Sequence, residues 1–125
     1  MNKSTVSILL LGVLLLGGLF LVMRPAPQSA AKPTELQTRQ FEFNVIDGQL
    51  AEGPVVVAVT EGTPVTFRFF TNKKDEVHLH GYDLSADLKP DEASQISFVA
   101  DKSGRFEMEL HKSHSKLSVL EVRPH

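Results

Sequence analysis

Among its 125 residues the chain has no cysteine, no tryptophan and a single tyrosine. Without cysteine there can be no disulfide, no thiolate metal ligand and no acylated cysteine to anchor a lipoprotein. Basic residues are scattered and aromatics are few, so neither the phosphate-neutralising nor the base-stacking signature of a nucleic-acid binder is present. There is no glycine-rich phosphate loop, and no serine or lysine stands in a nucleophile arrangement. No internal repeat of about 20–50 residues is visible.

What is present begins with a long apolar run. After Met1–Thr5, which carries Lys3, the 18 residues from Val6 to Met23 are uncharged and end at Arg24-Pro25-Ala26-Pro27. A cleavable signal usually has an apolar core of about 7–15 residues closely followed by small side chains. Here the run is longer and Ser29-Ala30-Ala31 lies several residues beyond it, so residues 1–24 read as an uncleaved membrane anchor, with cleavage near Ala31 as the alternative. Lys3 and the amino terminus favour the cytoplasmic side, which sends everything after Arg24 across the membrane. The expected location is the periplasmic face of the cytoplasmic membrane, or the free periplasm if the segment is cleaved. Contact with the membrane is expected through this segment only. Residues 25–37, with Pro25, Pro27 and Pro33 among small and polar side chains, read as an extended linker.

Residues 38–125 make one small domain with a modest core. From residue 32 onward, 11 Lys and Arg face 15 Asp and Glu, a mild acidic excess. Apolar and polar residues alternate in short runs bounded by turn residues, the pattern of half-buried strands. Strands are predicted around Phe41–Val45, Val55–Thr60, Val65–Phe70, Glu76–His80, Ala93–Ala100, Arg105–His111 and Leu117–Arg123. Asp47-Gly48 is a strong hairpin signal. About seven short strands at this spacing predict an all-β sandwich. Helix has little support beyond the N-terminal segment, although Asp83–Leu88 can form one turn.

Four of the five histidines fall in two short clusters, Val77-His78-Leu79-His80-Gly81-Tyr82 and Leu110-His111-Lys112-Ser113-His114. Imidazole is the commonest protein ligand for copper and zinc. His78 and His80, two apart on a strand, leave the same face. On the later strand Phe106, Met108 and Leu110 form the apolar row, which places Glu107, Glu109 and His111 opposite. If the two strands are neighbours, His78, His80 and His111 converge near one sheet end, with His114 on a loop beyond. Glu107 and Glu109 can orient ligating imidazoles, Met108 reads as core, and His125 as a solvated terminal side chain.

The domain resembles the cupredoxins over nearly its whole length. Val65-Thr66-Phe67-Arg68-Phe69 resembles their strand after a Gly-x-x-Val turn, and His80-Gly81-Tyr82 their element carrying the first copper ligand. Gly104-Arg105-Phe106-Glu107-Met108-Glu109-Leu110 resembles the strand that carries their cysteine ligand, and Leu117–Val122 resembles their last strand. The resemblance implies a Greek-key β-sandwich. It carries His80 over as a ligand, with either His111 or His114 as the second, and leaves His78 as an addition. Leu110 occupies the cysteine position, and no methionine stands near Leu117. The chain is most similar to small exported members with a His-x-His-Gly-Tyr-Asp element, here His78–Asp83, which implies an exported, copper-associated protein.

Nitrogen donors without thiolate suit Cu(II) in a type-2-like site, and can also hold zinc. The expected function is therefore copper binding for buffering, delivery or tolerance through His78, His80, His111 and His114, with a copper-handling protein as a further partner. A metal-free interaction or assembly module is the alternative. A mononuclear metal enzyme with Glu109 as base is a weaker rival, since no amino-terminal histidine motif accompanies the site, and the chain is read as a non-enzyme.

Overall fold

The computed structural model describes residues 2–23 and 36–125. Its first unit is helix α1, Lys3–Val22, apolar on every side, with no buried residue. At 1.5 Å per residue, 20 residues span about 30 Å, the thickness of a bilayer's hydrocarbon core, so α1 is long and apolar enough to cross a membrane. The linker read over 25–37 lies outside the described residues except for its last two positions.

The second unit is built from nine strands: β1 (Arg39–Ile46), β2 (Gln49–Glu52), β3 (Val56–Thr60), β4 (Pro64–Thr71), β5 (Asp75–Leu79), β6 (Leu84–Leu88), β7 (Ser94–Val99), β8 (Gly104–Leu110) and β9 (Ser115–Arg123). They form two sheets, ordered β2-β1-β4-β7 and β3-β9-β8-β5-β6. β1 runs parallel to β4 and β3 parallel to β9, while the other pairings are antiparallel. Period-two alternation is visible in β1, β4, β5 and β8, whereas β9 buries Leu117–Leu120 in succession; Phe43, Val45, Phe67 and Phe69 of the first sheet face Val77, Leu79, Met108, Leu110 and Leu120 of the second, all buried. Phe67 sits at the centre of the core, meeting Phe43 edge-on at 5.4 Å and Phe98 at 5.4 Å, with Phe41 at 6.1 Å.

Two elements differ from the sequence reading. The turn Asp47-Gly48, both residues at positive φ (53° and 76°), closes a hairpin into β2, a strand too short and polar to stand out in the sequence. Asp83–Leu88 forms no helical turn. Leu84, Ala86 and Leu88 alternate with Ser85 and Asp87, and β6 pairs antiparallel with β5 from Leu79↔Leu84 to Asp75↔Leu88. The reversal between them needs Gly81 at φ +82°, where a Cβ would run into the Phe106 ring. Tyr82 closes this end, packing on Phe106 at 4.8 Å and donating its hydroxyl to the Lys102 carbonyl at 2.9 Å.

Phe67→Ala removes the ring shared by both ends of the aromatic cluster and is expected to cost about 3–5 kcal/mol, a large part of a small domain's stability. Chemical denaturation followed by circular dichroism measures it; a loss under about 1 kcal/mol would mean that the ring does not organise the core.

Candidate metal centre

The site follows from one ladder. β5 and β8 pair with Val77 opposite Leu110, His78 opposite Glu109 and Leu79 opposite Met108. The ladder continues past both strand ends: the His80 N–H donates to the Glu107 carbonyl at 2.9 Å, and the His111 N–H to the Glu76 carbonyl at 2.8 Å. Every second residue therefore leaves the sandwich on the solvent side, giving three cross-strand pairs of one imidazole and one carboxylate: Glu76 with His111, His78 with Glu109, and His80 with Glu107.

The four predicted histidines occupy this face and its loop as a row. His80 to His78 is 6.3 Å between ring centroids, His78 to His111 is 5.5 Å, and His111 to His114 is 6.4 Å. The expected convergence of His78, His80 and His111 at one sheet end is replaced by this line, because residues two apart on a strand stand about 6–7 Å apart along it. Among the described residues no three His, Asp or Glu side chains gather around one metal position. His114 lies in the β8–β9 turn with φ +51°. His125 is exposed and outside the row.

Carboxylates set the chemistry of the imidazoles. His78 Nε2 lies 2.8 Å from Glu76 Oε1, and His80 Nε2 lies 2.6 Å from Glu109 Oε2. In a neutral imidazole the nitrogen facing a carboxylate carries the proton, which leaves Nδ1 with the lone pair a metal needs. Glu109 thus holds the His80 ring and Glu76 the His78 ring. Glu107 instead accepts from Lys116 Nζ at 2.7 Å; that hydrogen bond and the ammonium charge hold its carboxyl below the usual range.

The strand predicted from Glu76 to His80 starts one residue earlier, at Asp75, which is only 5% exposed. Its carboxylate accepts hydrogen bonds from the backbone N–H of Glu76 and Lys112, both at 2.8 Å, from the N–H of Ser113 at 3.2 Å and from the Ser113 hydroxyl. It thus fastens the loop bearing His111 and His114 to the start of β5. Burial pushes its pKa up, but the hydrogen bonds from Ser113, Glu76 and Lys112 outweigh that and leave the carboxyl below its ordinary value. The signal was in the register: Asp75, Val77 and Leu79 share the inward row. On the other side of the loop, Ser115 donates its hydroxyl to the Gly48 carbonyl, which ties the β1–β2 hairpin to the same end.

A thiolate-type copper centre does not fit these residues. Leu110, at the cysteine position of the resemblance, points into the core with 1% exposure, as does Met108. Imidazole nitrogens are a different case. With metal–nitrogen distances of about 2.0–2.1 Å, two rings on one ion have centroids about 4.5 Å apart when cis and about 6.4 Å when trans. The three spacings in the row fall within that range.

No family model and no curated protein matches the sequence. Solved structures do match the shape. A chain from a heme-copper terminal oxidase dimer is 14% identical with a TM-score of 0.57, the match covering 98% of this chain and 100% of that one. Auracyanin A, a "blue" copper protein from Chloroflexus aurantiacus, is 13% identical with a TM-score of 0.56, over 70% of this chain and 100% of that one. A copper binding protein solved in its apo form is 13% identical with a TM-score of 0.53, over 70% and 99%. The fold is a cupredoxin-like β-sandwich.

Asp75 gives the domain a defined acid limb. Its folded pKa lies below the unfolded value of about 3.9, so its stabilisation is complete above that value and is lost as pH falls through the folded pKa. Asp75→Ala is expected to cost about 2–3 kcal/mol at pH 7. Asp75→Asn is expected to flatten the dependence of stability on pH between about 5 and 2. Denaturation midpoints measured across that range decide it; an unchanged slope in Asp75→Asn would place the acid sensitivity elsewhere.

Proposed function

We propose that the protein is an exported, membrane-anchored copper-binding protein that carries Cu(II) as an exchangeable cargo on the outer face of β5 and β8, for buffering, delivery or tolerance. The observation that carries the reading is the row of four imidazoles, the closest pair being His78 and His111 at 5.5 Å. His78 and His80 are substantially exposed, with side chains at 41% and 54%. An ion held there would keep water on several positions and could be taken up and released without opening the core. That suits a carrier better than a resident centre.

Donor chemistry supports the choice of ion. The face offers nitrogen and carboxylate oxygen and no sulfur, which favours Cu(II) over Cu(I) and ranks copper above zinc and nickel where geometry is permissive. Zinc remains a competent second occupant. Cupredoxin-like neighbours that bind copper point the same way. Binding rather than catalysis is proposed because the imidazoles surround no enclosed position for a substrate. Helix α1 supplies the anchor, with the domain on the periplasmic side and a copper-handling protein as the partner that receives or delivers the ion.

A second reading has its own support. The oxidase-dimer chain matches almost end to end, which favours a metal-free, membrane-anchored module of a larger assembly. The two separate in one titration. The full chain in detergent micelles, titrated with Cu(II), is expected to give a nitrogen-coordinated type-2 electron paramagnetic resonance signal and no intense blue band. Replacing the row together (His78→Ala, His80→Ala, His111→Ala, His114→Asn) is expected to weaken binding by about 10²-fold or more, since no imidazole then remains on this face to act with a neighbour. Lack of stoichiometric binding by the native chain would decide for the module.

A further inference from the structure

We infer that the histidine row is a two-ion device, in which neighbouring imidazoles act as overlapping pairs so that the face holds one Cu(II) at its centre or two at its ends. This rests on the copper-binding reading and adds a stoichiometry and an order of filling to it. The spacings are 6.3 Å from His80 to His78, 5.5 Å from His78 to His111 and 6.4 Å from His111 to His114. Each lies between the about 4.5 Å and about 6.4 Å that two imidazoles on one ion can span. Among the described ring contacts of the row, only neighbours meet. Four ligands in a line therefore make three adjacent pairs, and each inner histidine belongs to two of them.

Exclusion follows from that sharing. An ion on His78 and His111 uses both inner rings and blocks the other two positions. Two ions can bind together only as His80 with His78 and His111 with His114. The central pair is the closest, and Glu76, which faces His111 across the ladder and touches His78, places a carboxylate beside it. It fills first. The His80 end has Glu109 against the imidazole at 2.6 Å, with Glu107 opposite. The His114 end has Lys112 between its two ligands in sequence and no carboxylate in contact with either ring among the described side-chain hydrogen bonds, so it is the weakest position. A second ion drives the first from the centre to one end, and the two dications then repel, so the second step is weaker by about tenfold or more.

The arrangement also provides a route. An ion can move from one pair to the next by exchanging one imidazole while keeping the other, and so crosses the face without being released to solvent. No bond other than metal–nitrogen is made or broken, and no electron is transferred.

Two double variants, each lacking two histidines, test the inference in the full chain in micelles, with Cu(II) as titrant. His114 is replaced by asparagine because its φ of +51° suits that residue. His80→Ala with His114→Asn keeps only the central pair; it is expected to take one ion and no second, with no signal from coupled Cu(II) ions at any loading. His78→Ala with His111→Ala keeps only the two isolated ends; it is expected to lose about 10²-fold or more in first-step affinity. The native chain is expected to take two ions by calorimetry, and a half-field resonance from coupled Cu(II) ions is expected to appear only beyond the first equivalent. Saturation at one ion per chain, lost equally in both double variants, would overturn the two-ion device and leave the copper-binding reading standing. One ion shared between two chains, seen as half-equivalent saturation with a doubled mass, would overturn it as well. No binding by the native chain would overturn both.

Discussion

The antiparallel ladder that sets Val77 opposite Leu110 and Leu79 opposite Met108 is the constraint on which the rest of the molecule depends. Those four side chains are buried almost completely. At about 1.5–3 kcal/mol each, their burial contributes on the order of 10 kcal/mol to fixing this register. A slip by one residue would put the histidines and glutamates in the core and those four side chains in water. The exposed imidazole–carboxylate pairs are screened by water and contribute far less. The apolar side therefore decides the register, and the polar side inherits a geometry it did not have to pay for.

The same ladder explains why the donor set lies on the outside of the sandwich. In the cupredoxin resemblance the residue at Leu110 is a ligand; here it is one of the large core side chains, and the nearest donors are its neighbours in sequence, Glu109 and His111, on the other face. The loop that follows is not left to itself. Asp75 gathers the backbone of Lys112 and Ser113 from one side, and the Gly48 carbonyl holds Ser115 from the other. His111 and His114 are thus carried by a braced turn, while His78 stands on a regular strand and His80 directly follows it.

Much of this was legible in the sequence. The strands of the core, their inward rows and the shared face of His78, His80, Glu109 and His111 follow from period-two alternation, which depends only on local geometry. What escaped were features set by distant partners. β2 is four residues long and exists because the Asp47-Gly48 turn folds it onto β1. Leu84–Leu88 has too few residues for its alternation to exclude a helical turn, and it is pairing with β5 that makes it a strand. A row and a cluster of histidines have the same spacing in sequence; only the register between β5 and β8 separates them. Asp75 was hidden by its neighbours Asn72-Lys73-Lys74, whose polarity masked the fact that its own side chain heads the buried row.

The seclusion of Met108 has a consequence for durability. A redox-active ion on a protein surface generates oxidants where it sits, and thiols and thioethers are the side chains they consume first. This domain has no thiol, and its one methionine lies under the sheet with 1% exposure, directly beneath the face proposed to carry the ion. The side chains most readily oxidised are thus either absent or shielded by the backbone, which leaves the imidazoles as the groups that oxidative wear would reach first. Such a face would age by losing ligands one at a time, while the fold beneath it persisted.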